Sequence, residues 1–341
     1  MSEEPAGSPL DPRRAPGCAT LAAPGIEPRN GRKLPAMPAS DHLLTTREMA
    51  RFVAEGYLRF DALVPEDIGR GVLEELPSLE RAKLRQFLGK DPEAPPFALP
   101  ESRMPLSRCY RDAPALGAYL RLPAVQGIIA SLVGPDPLYD HDFVHHLPAG
   151  SRHEQHLHMD AVVDSTDPTF DIQLFYFPSE VRPGEGGTRF VPGSHLRRVR
   201  AEGIGRYQHV LGEQQYAGPA GTVLVFHHGM WHAGQPNPGP DRWMHKIRLN
   251  PVVPQVRLWN QDDFAGLHGD ASDHVFATVT PGSVAERLRK MQPWQQGHEA
   301  RYELMQRTRL WRHLSGDPGF DVDYYHTRLE GRARTLEAPG R

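Results

Sequence analysis

The stretch Asp171-Ile172-Gln173-Leu174-Phe175-Tyr176-Phe177 decides the fold class. It concentrates aromatic and branched residues with no Gly or Pro, which predicts a β-strand. A turn signal follows at Pro183-Gly184-Glu185-Gly186-Gly187. Further out, Gly221-Thr222-Val223-Leu224-Val225-Phe226 reads as a short apolar strand, and Met244-His245-Lys246-Ile247-Arg248-Leu249 alternates before Pro251. Short strands broken by turns over about residues 138–258 predict a sandwich or barrel, not the alternating strands and helices of a parallel sheet.

Helical patterns flank this core. Thr45 with Glu48 has the spacing of a capping box, and Met49, Phe52 and Val53 then form an apolar face that ends at Gly56. After Leu122-Pro123, the residues Val125, Ile128, Ile129, Leu132 and Val133 follow helical spacing until Gly134-Pro135. Near the other end, Leu304, Leu310, Trp311 and Leu314 can share one helix face. Residues 1–40 are rich in Pro, Ala, Gly and Arg without a hydrophobic period and read as a disordered tail. The expected plan is mainly β with flanking helices: a jelly-roll core packed by N- and C-terminal helices, in a single domain over 41–335. No internal repeat is visible.

Composition narrows the partners. The 341 residues carry a formal net charge of -3, which gives no reason to expect nucleic acid or an anionic membrane surface as partner. No apolar run approaches a membrane span, and the first residues lack the apolar segment of a secretory signal. Cys18 and Cys109 allow one disulfide at most, and with Cys18 in the tail a reducing, cytoplasmic location is expected. Oligomeric state is not legible.

The chemistry gathers at His156-Leu157-His158-Met159-Asp160 and at Trp231-His232-Ala233-Gly234. Side chains two apart on a strand share a face, so His158 and Asp160 reach one ion together. His156 shares that face but stands four residues from the carboxylate, roughly 13 Å along an extended strand. A second imidazole from another strand completes a 2-His-1-carboxylate set, which grips one face of a ferrous ion and leaves the other open. His227, His228 and His232 are the candidates; His232 is favoured because Arg242 follows it at the head of the next strand. An arginine there suits a carboxylate held near iron, since its planar fork binds such groups bidentately.

These residues resemble the phytanoyl-CoA dioxygenase family of iron(II)- and 2-oxoglutarate-dependent oxygenases. The resemblance rests on His158-Met159-Asp160, on Gly186-Gly187-Thr188-Arg189-Phe190-Val191-Pro192-Gly193-Ser194-His195, and on Trp231-His232-Ala233-Gly234 leading to Arg242. Phe52-Val53-Ala54-Glu55-Gly56-Tyr57 and Leu132-Val133-Gly134-Pro135 add to it, so that it covers about residues 42–330. It implies a double-stranded β-helix of the cupin-like kind. It also implies Fe(II) held by His158, Asp160 and His232, with 2-oxoglutarate and O2 as cosubstrates. Arg242 would pair with the distal carboxylate of 2-oxoglutarate. Arg248, on the same strand face, is the second choice, and Gln173 is a candidate either for a hydrogen bond to the cosubstrate or for a structural role. His195 is read as part of a turn.

The expected function is oxidation of a C–H bond in a small-molecule substrate, with release of succinate and carbon dioxide. Relatives that halogenate lack the carboxylate, so Asp160 favours hydroxylation, desaturation or ring closure. The rival readings are a jelly-roll hydrolase or isomerase that uses zinc or iron without 2-oxoglutarate, and a non-catalytic binding protein with a relict site. Arg103, Arg108 and Arg111 lie in a loop that could bind an anionic substrate, and His141, His145, His146 and His153 could line the substrate mouth; solvated surface, strand or loop is the favoured reading for each. Trp259, Phe264 and Tyr324 are candidates for an apolar pocket or for plain core.

Overall fold

The computed structural model describes residues 34–88, 98–161, 167–197, 201–204, 206, 208–268, 279–295 and 297–322. In chain order these form α1 (Thr46–Glu55), β1 (Tyr57–Phe60), α2 (Glu66–Leu88), α3 (Pro114–Arg121), α4 (Pro123–Val133), β2 (Leu138–Leu147), β3 (Ile172–Phe177), β4 (Thr188–Phe190), α5 (Ala201–Ile204), β5 (Gln214–Gln215), β6 (Thr222–His227), β7 (His232–Gly234), β8 (Arg242–Asn250), α6 (Phe264–Leu267), α7 (Val284–Arg289) and α8 (Gly297–Ser315).

Two antiparallel sheets make the jelly roll. The larger runs β1-β6-β3-β8-β2 and the smaller β5-β4-β7. Strand alternation divides the larger sheet into two faces. Ile172, Leu174, Tyr176, Val223, Val225, Ile247 and Leu249 point to one side, where they join Phe52, Leu76, Leu116, Ile129 and Trp311 from the helices in one core. Phe175, Phe177, Leu224, Phe226 and Met244 point to the other and pack on Phe190 of the smaller sheet and on Tyr216, which follows β5. The register sets Phe175 and Phe143 both opposite Lys246, so these three share the inner face. That face carries the functional site.

Two close approaches fix the entry to the barrel. Thr45 and Glu48 make the reciprocal capping box at the start of α1. The helix ends at Gly56, with φ of +78°, and a Cβ there would lie 2.4 Å from the His195 ring. His195 is fully buried and its Nε2 faces the Val53 carbonyl at 3.2 Å. The Pro192-Gly193-Ser194-His195 turn is thus clamped onto α1, and Gly193 N–H donates to the Glu55 carbonyl. At Gly187 the Tyr216 carbonyl comes within 1.8 Å of where a Cβ would stand, which only a glycine permits.

The structure extends the sequence reading in three places. β1 lies before residue 138, yet it pairs with β6 and forms one edge of the larger sheet. The long α2 and the short α3 also precede the core and cover its outer face. The expected tail falls outside the described residues up to position 33; residues 34–39 are described without regular structure, and Ser40–His42 forms a 3-10 turn. Tyr324 and Cys18 lie outside the described residues. No single described helix is long and apolar enough to cross a membrane; α3 and α4 pass by composition together, but meet at 62° and bury Leu116, Leu120, Val125 and Ile129 in the core.

Candidate metal centre

His158, Asp160 and His232 come together with one ligand atom each, all within 4.8 Å of one another. His232 is the first residue of β7. The expectation that His158 and Asp160 share a regular strand is corrected: His158 makes only an isolated antiparallel bridge, to His232, and Asp160 sits in the bend that follows. Two backbone bonds between them, His158 N–H to the His232 carbonyl at 3.0 Å and the reverse at 2.8 Å, set the two imidazoles side by side. Their ring centroids are 4.6 Å apart. His156 is exposed. His227 and His228 stack on each other at the far end of β6, with His227 packed against Phe52 and Phe170 on the helix side.

The donor chemistry fits a metal ion. His158 Nδ1 lies 2.8 Å from the His156 carbonyl, and His232 Nδ1 lies 2.9 Å from the Met230 carbonyl. Each carbonyl takes an Nδ1–H, so each ring keeps its Nε2 lone pair for a ligand. Those Nε2 atoms stand 3.6 and 3.5 Å from the two Asp160 oxygens. Burial pushes His232 down to about 3, against the pull of Asp160, so the ring is neutral and ligating at neutral pH. Burial alone would raise the Asp160 carboxyl, but His232, Lys246 and Gln173 outweigh it and hold it below the usual carboxylate range.

Asp160 has two further partners on the inner face. Gln173 Nε2 donates to Asp160 Oδ2 at 2.7 Å. The amide thus takes a structural place beside the carboxylate, and it is not among the residues that line the cavity. Lys246 Nζ also contacts Asp160 Oδ2. The sequence reading passed over this lysine. It stands four residues beyond Arg242 on the same strand face, and a cation at that alternation was the available signal.

These residues open onto a cavity of about 420 Å³. Phe143, Phe175 and Met244 give it apolar walls, and Arg242 and Lys246 line it as well. His145, His146 and His153 also line it, so these three are cavity residues, whereas His141 faces Asp140. Burial, with Lys246 and Arg242 close by, pushes His145 down to about 4. Arg103, Arg108 and Arg111 are exposed and away from the cavity, and Trp259 packs with Trp311 in the core.

The two candidate arginines differ sharply. Arg242 is 5% exposed, and its Nε and Nη1 have no hydrogen-bond partner among the described residues. Burial pushes its guanidinium down to about 10, which leaves it charged at neutral pH. A buried, unanswered cation is costly and matches an anion brought in from outside. Arg248 is already answered: it bonds Asp171 Oδ2 at 2.6 and 3.0 Å and lies 3.3 Å from Asp140.

Comparison with known proteins agrees with this geometry at the level of the family. Residues 52–244, more than half of the chain, match the family described as phytanoyl-CoA dioxygenase (PhyH). No curated protein matches the chain. Among solved structures, EctD from S. alaskensis with bound Fe is 15% identical, with 66% of this chain and 83% of that one covered at a TM-score of 0.46. HygX from Streptomyces hygroscopicus with nickel and 2-oxoglutarate bound is 14% identical, covering 62% and 88% at 0.45. The non-heme monooxygenase ThoJ in its nickel complex is 20% identical, covering 77% and 96% at 0.43.

Proposed function

The chain belongs to the phytanoyl-CoA dioxygenase family of iron(II)- and 2-oxoglutarate-dependent oxygenases, and from that premise we propose that it oxidises a C–H bond of a small-molecule metabolite. The observation that carries the reading is the pairing of the His158-Asp160-His232 set with an unanswered Arg242 on the wall of one cavity. Three protein ligands on one side of an iron ion leave the other side for cosubstrate and oxygen. Bound iron(II), with 2-oxoglutarate and O2, supplies the oxidant and releases succinate and carbon dioxide.

The protein's own share is placement. His158 and His232 present Nε2 because their Nδ1 protons are spent on backbone carbonyls. Gln173 fixes the Asp160 carboxylate. Arg242 would take the distal carboxylate of 2-oxoglutarate through a bidentate, charge-assisted pair. Phe143, Phe175 and Met244 give apolar walls to the space where the target bond would lie. Asp160 fills the ligand position that halogenating relatives leave to halide, which favours hydroxylation, desaturation or ring closure. The size of the cavity suits a small metabolite.

A hydrolase or isomerase using the same ligands with zinc has no use for a buried cation at Arg242. The deciding experiment is optical. Under anaerobic conditions, Fe(II) with 2-oxoglutarate is expected to give a weak visible charge-transfer band, and oxygen is then expected to release succinate. Iron binding with neither signal would sink the oxygenase reading.

A further inference from the structure

Lys246 is a second buried cation in the cavity, and the proposed chemistry leaves it without a task. It is 4% exposed, lies in the middle of β8, and lines the cavity with its Nζ against Asp160 Oδ2. Phe143 and Phe175 flank it, with ring centroids 5.6 and 5.3 Å from Nζ. Holding Asp160 in place does not require it, because Gln173 already does so with a neutral amide at 2.7 Å. A cation on that carboxylate opposes the binding of a dication to it. Burying an ammonium is also expensive unless an anion answers it.

Charge counting shows what is missing. Around the metal seat, Asp160 is negative and Arg242 and Lys246 are positive. A divalent ion with dianionic 2-oxoglutarate adds no net charge. One positive charge is then left around the metal seat, and metal binding at Asp160 weakens the one ion-pair partner that Lys246 has among the described residues. Glu80, the other carboxylate on the lining, is at the α2 side, and Lys246 turns to Asp160 instead.

We infer that Lys246 is the anchor for an anionic group on the substrate, so that the substrate is a small metabolite bearing a carboxylate, sulfonate or similar single negative charge. This rests on the iron and 2-oxoglutarate reading above. The Phe143 and Phe175 rings would flank the anchored end, and the ion pair would fix the target bond relative to the metal. A lysine suits this role as a compact point charge on a flexible stem.

The test uses the full chain loaded with Ni(II) and 2-oxoglutarate, with calorimetric titration of methanesulfonate and of dimethyl sulfone, a neutral molecule of the same shape. Methanesulfonate is expected to bind at least tenfold more tightly than the sulfone. Lys246→Gln, which keeps a donor for Asp160 and loses the charge, is expected to weaken methanesulfonate at least tenfold while changing 2-oxoglutarate affinity far less. Lys246→Arg is expected to restore most of the anion affinity. Equal binding of the two probes, or binding of neither, overturns the inference without need of any variant. So does undiminished anion binding by Lys246→Gln, or an equal loss of 2-oxoglutarate, which would assign the lysine to the cosubstrate. If the unmodified protein takes up no Ni(II) or no 2-oxoglutarate, the oxygenase reading itself fails before any probe is added, and this inference falls with it.

Discussion

At the scale of single residues, the contrast between Arg242 and Arg248 gives the sharpest expectation. Arg242 lines the cavity with an unanswered guanidinium, whereas Arg248 is spent on Asp171 and Asp140. Arg242→Ala should therefore raise the Kd for 2-oxoglutarate at least tenfold with little change in metal affinity, as read by calorimetry. Arg248→Ala should leave that Kd within about threefold; a large rise there would move the carboxylate partner to Arg248. Asp160→Ala should cost at least tenfold in metal affinity and abolish succinate release. The change also strips Lys246, 4% exposed, of its carboxylate partner, so the melting temperature should fall measurably while the protein still folds. The pairing of His158 with Asp160 was legible in sequence from their short spacing, although the segment is a bridge followed by a bend and not the strand whose alternation suggested it. Lys246 was not: a lysine in an alternating strand reads as ordinary surface, and only cross-strand register places Phe143 and Phe175 beside it. Gln173 was located on the right strand, but its partner depends on where the Asp160 bend falls.

At the scale of elements, legibility followed length and periodicity. α1, α4, β3, β6 and β8 each carry a local pattern, and each stands where that pattern predicts. β4, β5 and β7 have three residues or fewer, too short for propensity to speak; their pairing partners define them. α2 contains Gly69, Gly71 and Pro77, which weaken a helical pattern, and burial of Val72, Leu76 and Leu79 holds the helix. The junction between α1 and β1 is where local and tertiary demands coincide. Gly56 needs a left-handed φ to end the helix, and it must leave room for the His195 ring. Gly56→Ala meets both penalties and should destabilise the protein by at least about 1 kcal/mol. A urea unfolding series checks this, with the shift expected in the midpoint and not in the slope.

At the scale of the whole molecule, a cluster of buried histidines ties the N-terminal helix to the jelly roll, and acid should loosen it. His195 and His227 face each other at 5.0 Å between α1, the Pro-Gly-Ser-His turn and β6, and His227 packs on Phe52 and Phe170. Burial pushes His195 down to about 3 and drives His227 well below the usual imidazole range. Both are neutral in the folded protein, while the unfolded chain takes up a proton at each as the pH falls below about 6.5. The unfolded state then binds more protons, so their contribution to stability is intact above that pH and is lost progressively as the pH falls toward the folded value. Each histidine should cost on the order of 1 kcal/mol per pH unit once its unfolded form is largely protonated. The melting temperature should accordingly drop between pH 6.5 and 5. His227→Phe keeps the ring contacts with Phe52 and Phe170 and removes one titrating group, so it should flatten that dependence. A variant whose acid slope matched the unmodified chain would show that the destabilising protons bind elsewhere.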